Sequence, residues 1–530
     1  MRTFSSYGPL NTNLHYYAPR EALIDYVYQQ LVGTEADLGG HYITIWAPRQ
    51  TGKTWILQQV MKRITKHNSL DTVYVTLQGA ANETTLEGIW KRFTDQLSAW
   101  YGKAFPAVSS WREFTDLLKE STLDQPLVLV IDEFDSLHEQ HIRDFVREFR
   151  IIHSVRNSQV TNAEKEDVYL LHGLALIGVR AVLGVENSSG SPFNIQRSIH
   201  IPNLTPEEVR GMFQWYQEES AQTMEPAVVD AIITEFRGQP GLTCWMGELL
   251  TERYNKHNAT ITIEDFRFAY TRAIQSLPNN NILNIISKAG EEPYQSIVLE
   301  LFRTETTMDF RYDNREINYL YLNGVIDEEI DEENNSIVRF ASPFVQKRLF
   351  GAFSTNLFHS SARLYDPFTD LSETITETSL NLRNVLRLYE QYLHVNSFWL
   401  FKEAPRRADL RLFEAIYHFN LYAYLSRFLE RRGGQVLPEF PTGNGKIDLI
   451  IRYAGQRYGL EVKSFVDAYE YQQAIVQTAR YGKQLGLTEM DLVFFIEAID
   501  DANRTKLETI AVDQETGLTV RPTFVVTGTP

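Results

Sequence analysis

The sequence predicts an α/β protein with a parallel sheet in its first half and a second α/β domain at its C-terminal end. An apolar run at residues 42–46 leads through a short loop into a helix, and another at 127–131 ends in two acids. Continuous apolar runs of this length are typical of strands buried on both faces of a parallel sheet. Near residue 450, two further strands separated by a tight turn indicate the second domain.

The composition indicates a globular protein with about three domains, each able to bury its own core. The chain has 530 residues, of which 43% are apolar and 12% aromatic. Its single cysteine, Cys244, excludes a disulfide framework or a cysteine zinc site and suits a reducing compartment. We find no signal-peptide pattern and no apolar run long enough to span a bilayer, so we expect a cytoplasmic protein with no membrane partner.

The charge is distributed unevenly along the chain. The formal net charge is −17, which argues against a nucleic-acid footprint over the whole surface. Residues 401–530 carry 16 basic and 17 acidic side chains, a net charge of −1, and residues 1–400 carry the other −16. Only the C-terminal part is therefore suited to a polyanion.

The loop after the first apolar run predicts a phosphate-binding site. Its residues are Ala47, Pro48, Arg49, Gln50, Thr51, Gly52, Lys53 and Thr54. Backbone N–H groups of such a loop and the positive end of the next helix bind β- and γ-phosphates, the lysine adds charge, and the threonine hydroxyl binds Mg²⁺. The pattern departs from G-x-x-x-x-G-K-[ST] only at Ala47, which is tolerated where φ is negative. The sequence thus predicts ATP and Mg²⁺ as ligands.

Asp132 and Glu133 follow the buried run at 127–131. They are expected at the carboxyl end of a parallel strand, where open α/β sheets bind ligands. Asp132 is then placed to hold Mg²⁺ through water beside Thr54, and Glu133 to polarise the attacking water. The position after a Gly-Lys-Thr loop favours this interpretation over a core strand with incidental acids.

Three further segments are expected around the nucleotide. The aromatic segment at 16–20 either packs on the adenine or is an aromatic hook before a surface helix. Arg180 ends a predicted strand at 174–182, where it either contacts the γ-phosphate or is a surface arginine. Thr205, Pro206 and Glu208 predict a capped helix start, and the turn at Pro240 interrupts the helices that follow to residue 276.

Residues 286–355 have the pattern of a winged helix followed by a linker. Two predicted helices lead to an acidic hairpin at 325–340, whose charge would repel phosphates. We therefore do not favour a DNA-binding module. We favour the interpretation that this segment is an arm that packs against the ATPase and responds to its nucleotide state. Residues 354–381, rich in Ser and Thr, are the best linker candidate, and a helix is expected at 382–400. Helices are also expected at 111–121, 141–154 and 410–432.

Several of these motifs together identify a family resemblance. APRQTGKT, LVLVIDEFD, the strand ending GVR, SPFNIQR before an LTPEEV helix, and GQPGL resemble the AAA-like ATPases close to the STAND class of switch NTPases, over residues 16–353. The resemblance implies that Arg180 is the sensor arginine, that Pro240 belongs to the GxP turn of the lid, and that Arg197 is an intersubunit or switch arginine. A homo-oligomer assembled through the ATPase is one expectation.

The predicted C-terminal hairpin, with strands at 446–453 and 457–464, places charged residues on one face. A loop of Ala454 and Gly455 puts Asp448 opposite Glu461, whereas a loop one residue later puts it opposite Lys463. In either register the three charged residues share a face, because Glu461 and Lys463 are two apart. Two carboxylates and a lysine form an oxygen site for Mg²⁺ with a cation that orients or deprotonates water.

This pattern resembles the PD-(D/E)XK nuclease superfamily over residues 410–499. Glu414 occupies the place of the first-helix acid, and Gln477 with Tyr481 matches the QxxxY helix of the exonuclease-like branch. The resemblance implies catalytic roles for Glu414, Asp448, Glu461, Lys463 and Gln477, with Asp448 and Glu461 as metal ligands. The competing interpretation is a solvated, salt-bridged face in which Lys463 only neutralises the acids.

Together the motifs predict five segments: an ATPase core (1–204), a helical lid (205–285), a winged helix (286–355), a linker with a helix (356–400) and a nuclease-like domain (401–530). We expect an ATP-binding switch that controls a metal-dependent nuclease acting on DNA, and the resemblance of such fusions to conflict proteins suggests antiviral or mobile-element defence. The alternatives are a nucleotide-dependent signalling scaffold whose nuclease-like domain binds but does not cut, and a DNA-translocating motor. The acidic ATPase half lacks a basic, aromatic track, which disfavours the motor.

Overall fold

The computed structural model describes residues 2–8, 10–33, 40–67, 70–160, 168–178, 196–302, 307–358, 363–406, 412–439, 447–465 and 467–527. The chain divides into two compact units, Met1–Thr271 with Tyr321–Gly324, and Arg272–Leu320 with Val325–Pro530. Within the described ranges, no helix has the length and apolar composition needed to cross a bilayer. The predicted domain boundaries inside these units stay predictions.

Unit 1 is built on a five-stranded parallel sheet, as the apolar runs predict. Its strands are β1 (Tyr42–Trp46), β2 (Asp71–Thr76), β3 (Leu127–Asp132), β4 (Leu171–Gly178) and β5 (Gln196–His200). The spatial order is β2-β3-β4-β1-β5, and every pairing is parallel. All residues of β1, β3 and β4 are buried, because helices cover both faces of the sheet.

The covering helices of unit 1 form two apolar layers. The helices are α1 (Glu21–Val32), α2 (Lys53–His67), α3 (Leu86–Tyr101), α4 (Trp111–Asp116) and α5 (Glu139–Val160). One layer joins the sheet to α1 and α2, and the other joins it to α3, α4 and α5. The carboxyl ends of β1 and β3 are thereby held at one edge of a rigid sheet.

A helical region completes unit 1. Its elements are α6 (Pro206–Ser220), β6 (Thr223–Met224), α7 (Pro226–Phe236), α8 (Pro240–Glu248), β7 (Thr260–Ile261) and α9 (Ile263–Gln275). The predicted capping box at the start of α6 is confirmed: Thr205 accepts from the Glu208 N–H, Glu208 accepts from the Thr205 N–H, and Pro206 takes the first helical position.

Unit 2 begins with four helices and a two-stranded antiparallel hairpin. These are α10 (Asn280–Ala289), α11 (Tyr294–Leu301), α12 (Arg315–Leu322), β8 (Ile326–Ile330), β9 (Ser336–Phe340) and α13 (Pro343–Leu357). Arg339 of β9 forms ion pairs with Asp327 and Glu329 of β8. The acidic charge of this hairpin is therefore partly neutralised from within.

The rest of unit 2 is organised around a six-stranded mixed sheet. Its elements are α14 (Leu382–Leu400), α15 (Glu414–Glu430), β10 (Gln435–Glu439), β11 (Ile447–Tyr453), β12 (Gln456–Ser464), α16 (Ala468–Gln484), β13 (Glu489–Ile496), α17 (Asp501–Leu507), β14 (Ala511–Val512) and β15 (Thr519–Val526). The order is β10-β11-β12-β13-β15-β14, with β12, β13 and β15 parallel. A core of apolar side chains joins α16 to this sheet.

Several predicted boundaries differ from the structure. The helix expected at 111–121 ends at Asp116, because the residues after it bond to the segment before β4, with the Leu170 N–H donating to Leu118 O. The helix expected to begin at residue 410 begins at Glu414. The strand expected at 174–182 is described as Leu171–Gly178, and its remaining positions lie outside the described residues.

Candidate functional site

The loop between β1 and α2 has the backbone of a phosphate-binding turn. Gln50 and Gly52 have φ angles of 59° and 90°, in the left-handed region, and α2 begins directly at Lys53. Glycine adopts this conformation without steric cost. Ala47 is buried and is not among the residues with positive φ, so the methyl group at the first motif position is accommodated.

Lys53 folds back onto its own loop. Its Nζ donates to the carbonyl oxygens of Ala47 and Pro48 at 2.8 Å each, and Thr51 Oγ1 donates to the same Pro48 oxygen at 2.9 Å. Burial lowers the pKa of Lys53 to about 8, although nearby carboxylates oppose that shift. The loop thus holds a desolvated amine whose donors can be transferred to phosphate oxygens.

Asp132, at the end of β3, accepts three hydrogen bonds. Its Oδ2 accepts from Thr54 Oγ1 at 2.7 Å and from Tyr74 OH at 2.6 Å, and its Oδ1 accepts from the Glu133 N–H at 2.8 Å. The predicted neighbours Thr54 and Asp132 are thus brought into direct contact, 78 positions apart in sequence. Tyr74 was missed from the sequence, because its place beside Asp132 follows from the pairing of β2 with β3, which no local pattern records.

Glu133 lies next to these groups and keeps an exposed side chain. Its φ of 55° is left-handed, a strained conformation for a non-glycine residue and one found at functional sites. Desolvation, followed by the charges of Asp135 and Asp132, raises the pKa of Glu133. A carboxylate with a raised pKa is a better proton acceptor than an ordinary surface glutamate.

The loop faces a cleft of about 770 Å³ within unit 1. Tyr17 and Ala18 of the aromatic lead-in segment line this cleft, whereas Tyr16 is buried against Phe4 and Trp215. The lead-in therefore supplies both a cleft wall and an aromatic anchor. Other lining residues come from the N-terminus, the phosphate loop, the sheet edge and the helical region, among them Ser5, Ser6, Tyr7, Arg20, Arg49, Lys53, Thr54, Asp132, Glu133, Gly178, Leu204, Met212, Pro240, Gly241 and Cys244.

The turn containing Pro240 is hydrogen-bonded to the phosphate loop. Gln239 caps α8 by accepting from the Leu242 N–H, and its Nε2 donates to the Arg49 carbonyl at 3.0 Å. The Gly241 N–H donates to the Gln50 carbonyl at 3.1 Å. A methyl group on Gly241 would lie 2.5 Å from Gln50 Oε1 and 2.7 Å from Gln50 Cβ. Because Cβ cannot rotate away, only glycine permits this approach.

The resemblance implies roles for two arginines, Arg180 as the sensor and Arg197 as an intersubunit or switch arginine. Arg180 lies outside the described residues, and its predicted role stays a prediction. Arg197, on β5, donates to Gln30 Oε1 at 2.7 Å. Its predicted role between subunits is untested.

In unit 2, the register of the C-terminal hairpin matches the first of the two alternatives. Tyr453 pairs with Gln456 around a two-residue loop, and Asp448 pairs with Glu461. Leu460 and Val462, which alternate with the charged positions, are buried. The side chains of Asp448 and Glu414 lie outside the described residues. Their predicted roles are supported only by the position of their backbone, on β11 and at the start of α15.

Glu461, Lys463 and Gln477 form one hydrogen-bonded group. Lys463 Nζ lies 3.1 Å from Glu461 Oε1 and donates to Gln477 Oε1 at 2.9 Å. Thr478 Oγ1 donates to Glu461 Oε2 at 2.5 Å and is also 2.7 Å from the Ala474 carbonyl oxygen. Thr478 was missed from the sequence; its signal was its place beside Gln477 on the predicted helix. Glu461 and Thr478 are both buried.

The fit of this group to a metal depends on oxygen donors from two strands. Among the residues whose side chains are described, no cluster of three or more His, Cys, Asp or Glu residues could hold a metal ion. A buried carboxylate at Glu461, with the register placing Asp448 directly opposite, fits the hard oxygen ligands that Mg²⁺ prefers. The two-acid site thus stays a prediction that the backbone register supports.

Comparisons with known proteins give one family match and several similar folds. A family model described as an AAA-like domain matches residues 6–260, whereas curated proteins give no match. Similar solved structures include Aeropyrum pernix Orc1 in complex with DNA (16% identity, 63% of this chain and 92% of that chain, TM-score 0.33). Another is a Walker-type ATPase of Pyrococcus abyssi (13% identity, 66% of this chain and 98% of that chain, TM-score 0.43). A third is Cdc6p from Pyrobaculum aerophilum (14% identity, 66% of this chain and 97% of that chain, TM-score 0.35).

Proposed function

We propose that the AAA-like P-loop ATPase domain formed by residues 6–260 is a nucleotide switch that controls a metal-dependent nuclease in the C-terminal sheet domain. The ATPase assignment is supported by the family match and by the direct Thr54–Asp132 contact at the sheet edge. The nuclease assignment rests on the Glu461–Lys463–Gln477 group, and that group is the single observation that carries it.

In the ATPase cycle, Lys53 exchanges its two carbonyl acceptors for phosphate oxygens of ATP. Thr54 and Asp132 are the residues that would hold Mg²⁺, which supplies positive charge to the β- and γ-phosphates. Glu133, with its raised pKa, takes the proton of the attacking water. Tyr74 fixes Asp132 by its hydrogen bond and so keeps the carboxylate oriented toward Thr54.

In the C-terminal domain, Asp448 and Glu461 would hold Mg²⁺, which lowers the pKa of a bound water. Lys463, anchored by Glu461 and Gln477, would orient the attacking water toward the scissile phosphate by hydrogen bonding. Glu414 begins the preceding helix α15 and is the fourth charged group of the resemblance. DNA is the proposed substrate, because the C-terminal 130 residues are close to neutral while the rest of the chain is acidic.

The switch rests on contacts between the phosphate loop and the helical region. Two backbone carbonyls of the loop accept hydrogen bonds from the turn that opens α8. A nucleotide that reorders the loop therefore changes the position of α8, which acts as a lid. In this proposal, residues 286–355 form a winged helix that transmits the nucleotide state to the nuclease. This transmission is inferred from the order of the domains along the chain. A role in defence is inferred from the fusion of the ATPase to the nuclease-like domain.

The experiment is cleavage of linear and circular DNA by the full chain with Mg²⁺, with and without ATP. We expect Asp448→Ala to abolish cutting and Lys53→Ala to change its nucleotide dependence. Glu470→Ala and Lys66→Ala, which alter exposed residues, serve as matched controls. Absence of metal-dependent cutting under every nucleotide condition would leave a signalling scaffold, whose nuclease-like domain binds without cutting, as the better account.

A further inference from the structure

We propose that the exposed C-terminal end of α14 binds single-stranded nucleic acid by base stacking. This inference rests on the proposed function and names its substrate class. Val395, Phe398 and Trp399 are spaced three and four residues apart, so they share one face of the helix. We call these three residues the α14 aromatic patch.

The patch is apolar and open to solvent. Phe398 is 91% exposed, Val395 80% and Trp399 39%, whereas Leu393 and Leu400 of the same helix are buried. The buried face of α14 thus packs against the core, and the side chains of the patch do not contribute to that packing. Trp399 Nε1 donates to Asn396 Oδ1 at 3.1 Å, which fixes the indole on the helix surface and reduces the entropy lost when a base stacks on it.

Cations accompany these rings. Lys402 and Arg406, both exposed, follow the patch within eight residues, and Glu403 is the one acid between them. Lys402 Nζ lies 4.0 Å from Glu403 Oε1, so two cations and one acid leave a net charge of +1 in this segment, 2 − 1. In a chain with a net charge of −17, this local positive charge is complementary to phosphate. Exposed aromatic rings beside cations are the features by which proteins bind single strands, since every base offers a π-face and every linkage a charge. If the patch instead bound a second copy of this acidic chain, its apolar side chains would be used and the aromatic rings would not be required.

The residue after the patch packs onto the sheet of the C-terminal domain. Phe401, just beyond α14, packs against Tyr417 with ring centroids 5.4 Å apart, and Tyr417 packs against Phe495 at 5.6 Å. Phe495 of β13 pairs with Ser464 of β12, the residue after Lys463. These two ring contacts join the residue after the patch to β13 on the α15 side of the sheet, whereas Lys463 pairs with Phe494, whose ring packs on the α16 side.

A duplex cannot use the patch in the same way, because its bases are already stacked on each other. A single strand, or an end that has frayed, presents bases to Phe398 and Trp399 while its phosphates pass Lys402. The substrate class that follows is single-stranded nucleic acid or duplex with a single-stranded end.

The test measures binding of a fluorescein-labelled 20-nucleotide DNA strand and of its blunt duplex to the full chain, by anisotropy, with Ca²⁺ in place of Mg²⁺. The double variant Phe398→Leu/Trp399→Leu keeps the apolar area and removes the π-faces, and Phe398→Tyr/Trp399→Phe keeps the rings. We expect single-strand affinity to fall at least about tenfold in the leucine variant, to stay within about threefold in the ring-keeping variant, and duplex affinity to change little.

Equal single-strand affinity of the wild type and the leucine variant overturns the inference. So does a leucine variant whose oligomeric state changes in sedimentation while its DNA affinity does not, because the patch is then a contact between copies. Cleavage in Mg²⁺ separates the two proposals. A wild type that binds single strands through the patch but cuts nothing refutes the nuclease and upholds the binding site, whereas equal cutting of single strands by wild type and leucine variant refutes the patch.

Discussion

At the scale of single residues, Lys53 shows how burial prepares a binding group. Its amine is desolvated, its pKa is lowered to about 8, and its donors are held by two loop carbonyls. A triphosphate placed beside it favours the charged form, so binding raises the pKa again. The lysine is therefore coupled to pH in a range where an ordinary lysine is not.

This coupling predicts proton uptake on nucleotide binding. At pH 8 about half of the Lys53 amines are neutral, so binding of Mg·ATPγS takes up roughly half a proton, and uptake approaches zero at pH 6.5, where the amine is already charged. Affinity falls as the pH rises above 8. Calorimetry in buffers of different ionisation enthalpy measures the uptake. Lys53→Arg, which stays charged, should show none, and uptake equal at both pH values would contradict the prediction.

The hydroxyl of Thr478 gives a second prediction at this scale. Thr478→Val keeps the shape of the side chain but removes the donor to the buried Glu461 carboxylate. Groups that orient metal ligands typically contribute 10- to 100-fold to metal affinity or activity, so we expect the Mg²⁺ concentration needed for cleavage to rise by about tenfold or more. Thr478→Ser should restore it. An unchanged Mg²⁺ dependence in Thr478→Val would show that the hydroxyl only caps the Ala474 carbonyl.

The sequence indicated some of these residues and not others, for a physical reason. Lys53, Thr54 and Asp132 belong to motifs whose spacing is fixed by a loop and a strand end, so each could be predicted. Tyr74 and Thr478 act through contacts 58 and 17 positions away. Such partners depend on which strands and helices become neighbours, and no local pattern records that.

At the scale of elements, the start of α8 packs on the phosphate loop closely enough to exclude a side chain. Gly241 approaches Gln50, whose own φ is left-handed and whose Oε1 is buried without a hydrogen-bond partner among the described residues. The loop conformation and the helix position are therefore fixed together. A change in either is transmitted to the other.

Gly241→Ala tests this packing. We expect it to destabilise unit 1 by about 1–3 kcal/mol, as overpacking does, and to weaken ATPγS binding, because Gln50 must move. Gly211→Ala is the matched control: it lies in α6 with nothing within 4 Å of the added methyl, and a helical glycine replaced by alanine stabilises by about 0.5–1 kcal/mol. Denaturant titration and nucleotide affinity measure both variants, and equal effects in the two would contradict this view of the α8 contact.

Element boundaries were predicted best where a local cap defines them. The helix expected at 382–400 is found as Leu382–Leu400, because the Asn381 side chain caps it by accepting from the Asn384 N–H. The helix expected at 141–154 extends from Glu139 to Val160. The helix expected at 111–121 is shorter, since bonds to the segment before β4 replace its last turn. Tertiary contacts, which the sequence pattern does not contain, set these ends.

At the scale of the whole molecule, the hydrophobic pattern predicted a parallel sheet followed by helices and then a second α/β domain. The sheet orders β2-β3-β4-β1-β5 and β10-β11-β12-β13-β15-β14 could not be derived from the pattern. Pairings such as β1 with β4 join residues more than 100 positions apart, and apolar runs identify buried strands without identifying their neighbours. The fold class was thus accessible from the sequence, and the topology was not.

The division into two units predicts the response of the whole chain to nucleotide. A ligand present at 100 times its Kd stabilises the unit that binds it by about 2.7 kcal/mol. We expect calorimetry to show two unfolding transitions. Mg·ATPγS should raise the midpoint temperature of the transition that Gly241→Ala weakens. If the proposed switch couples the two units, the midpoint temperature of the other transition should shift as well, since coupling is reciprocal. A shift confined to the first transition would contradict control of the C-terminal domain by nucleotide.

The single thiol of the chain has a practical consequence. Cys244 is buried in α8 and lines the nucleotide cleft, and burial raises its pKa to about 12. A thiol reagent at neutral pH therefore meets almost no thiolate until α8 moves away from the loop. Because no other cysteine competes, the rate of labelling would report any movement of α8 away from the loop. The native sequence thus contains a chemical probe of the proposed switch that needs no introduced cysteine.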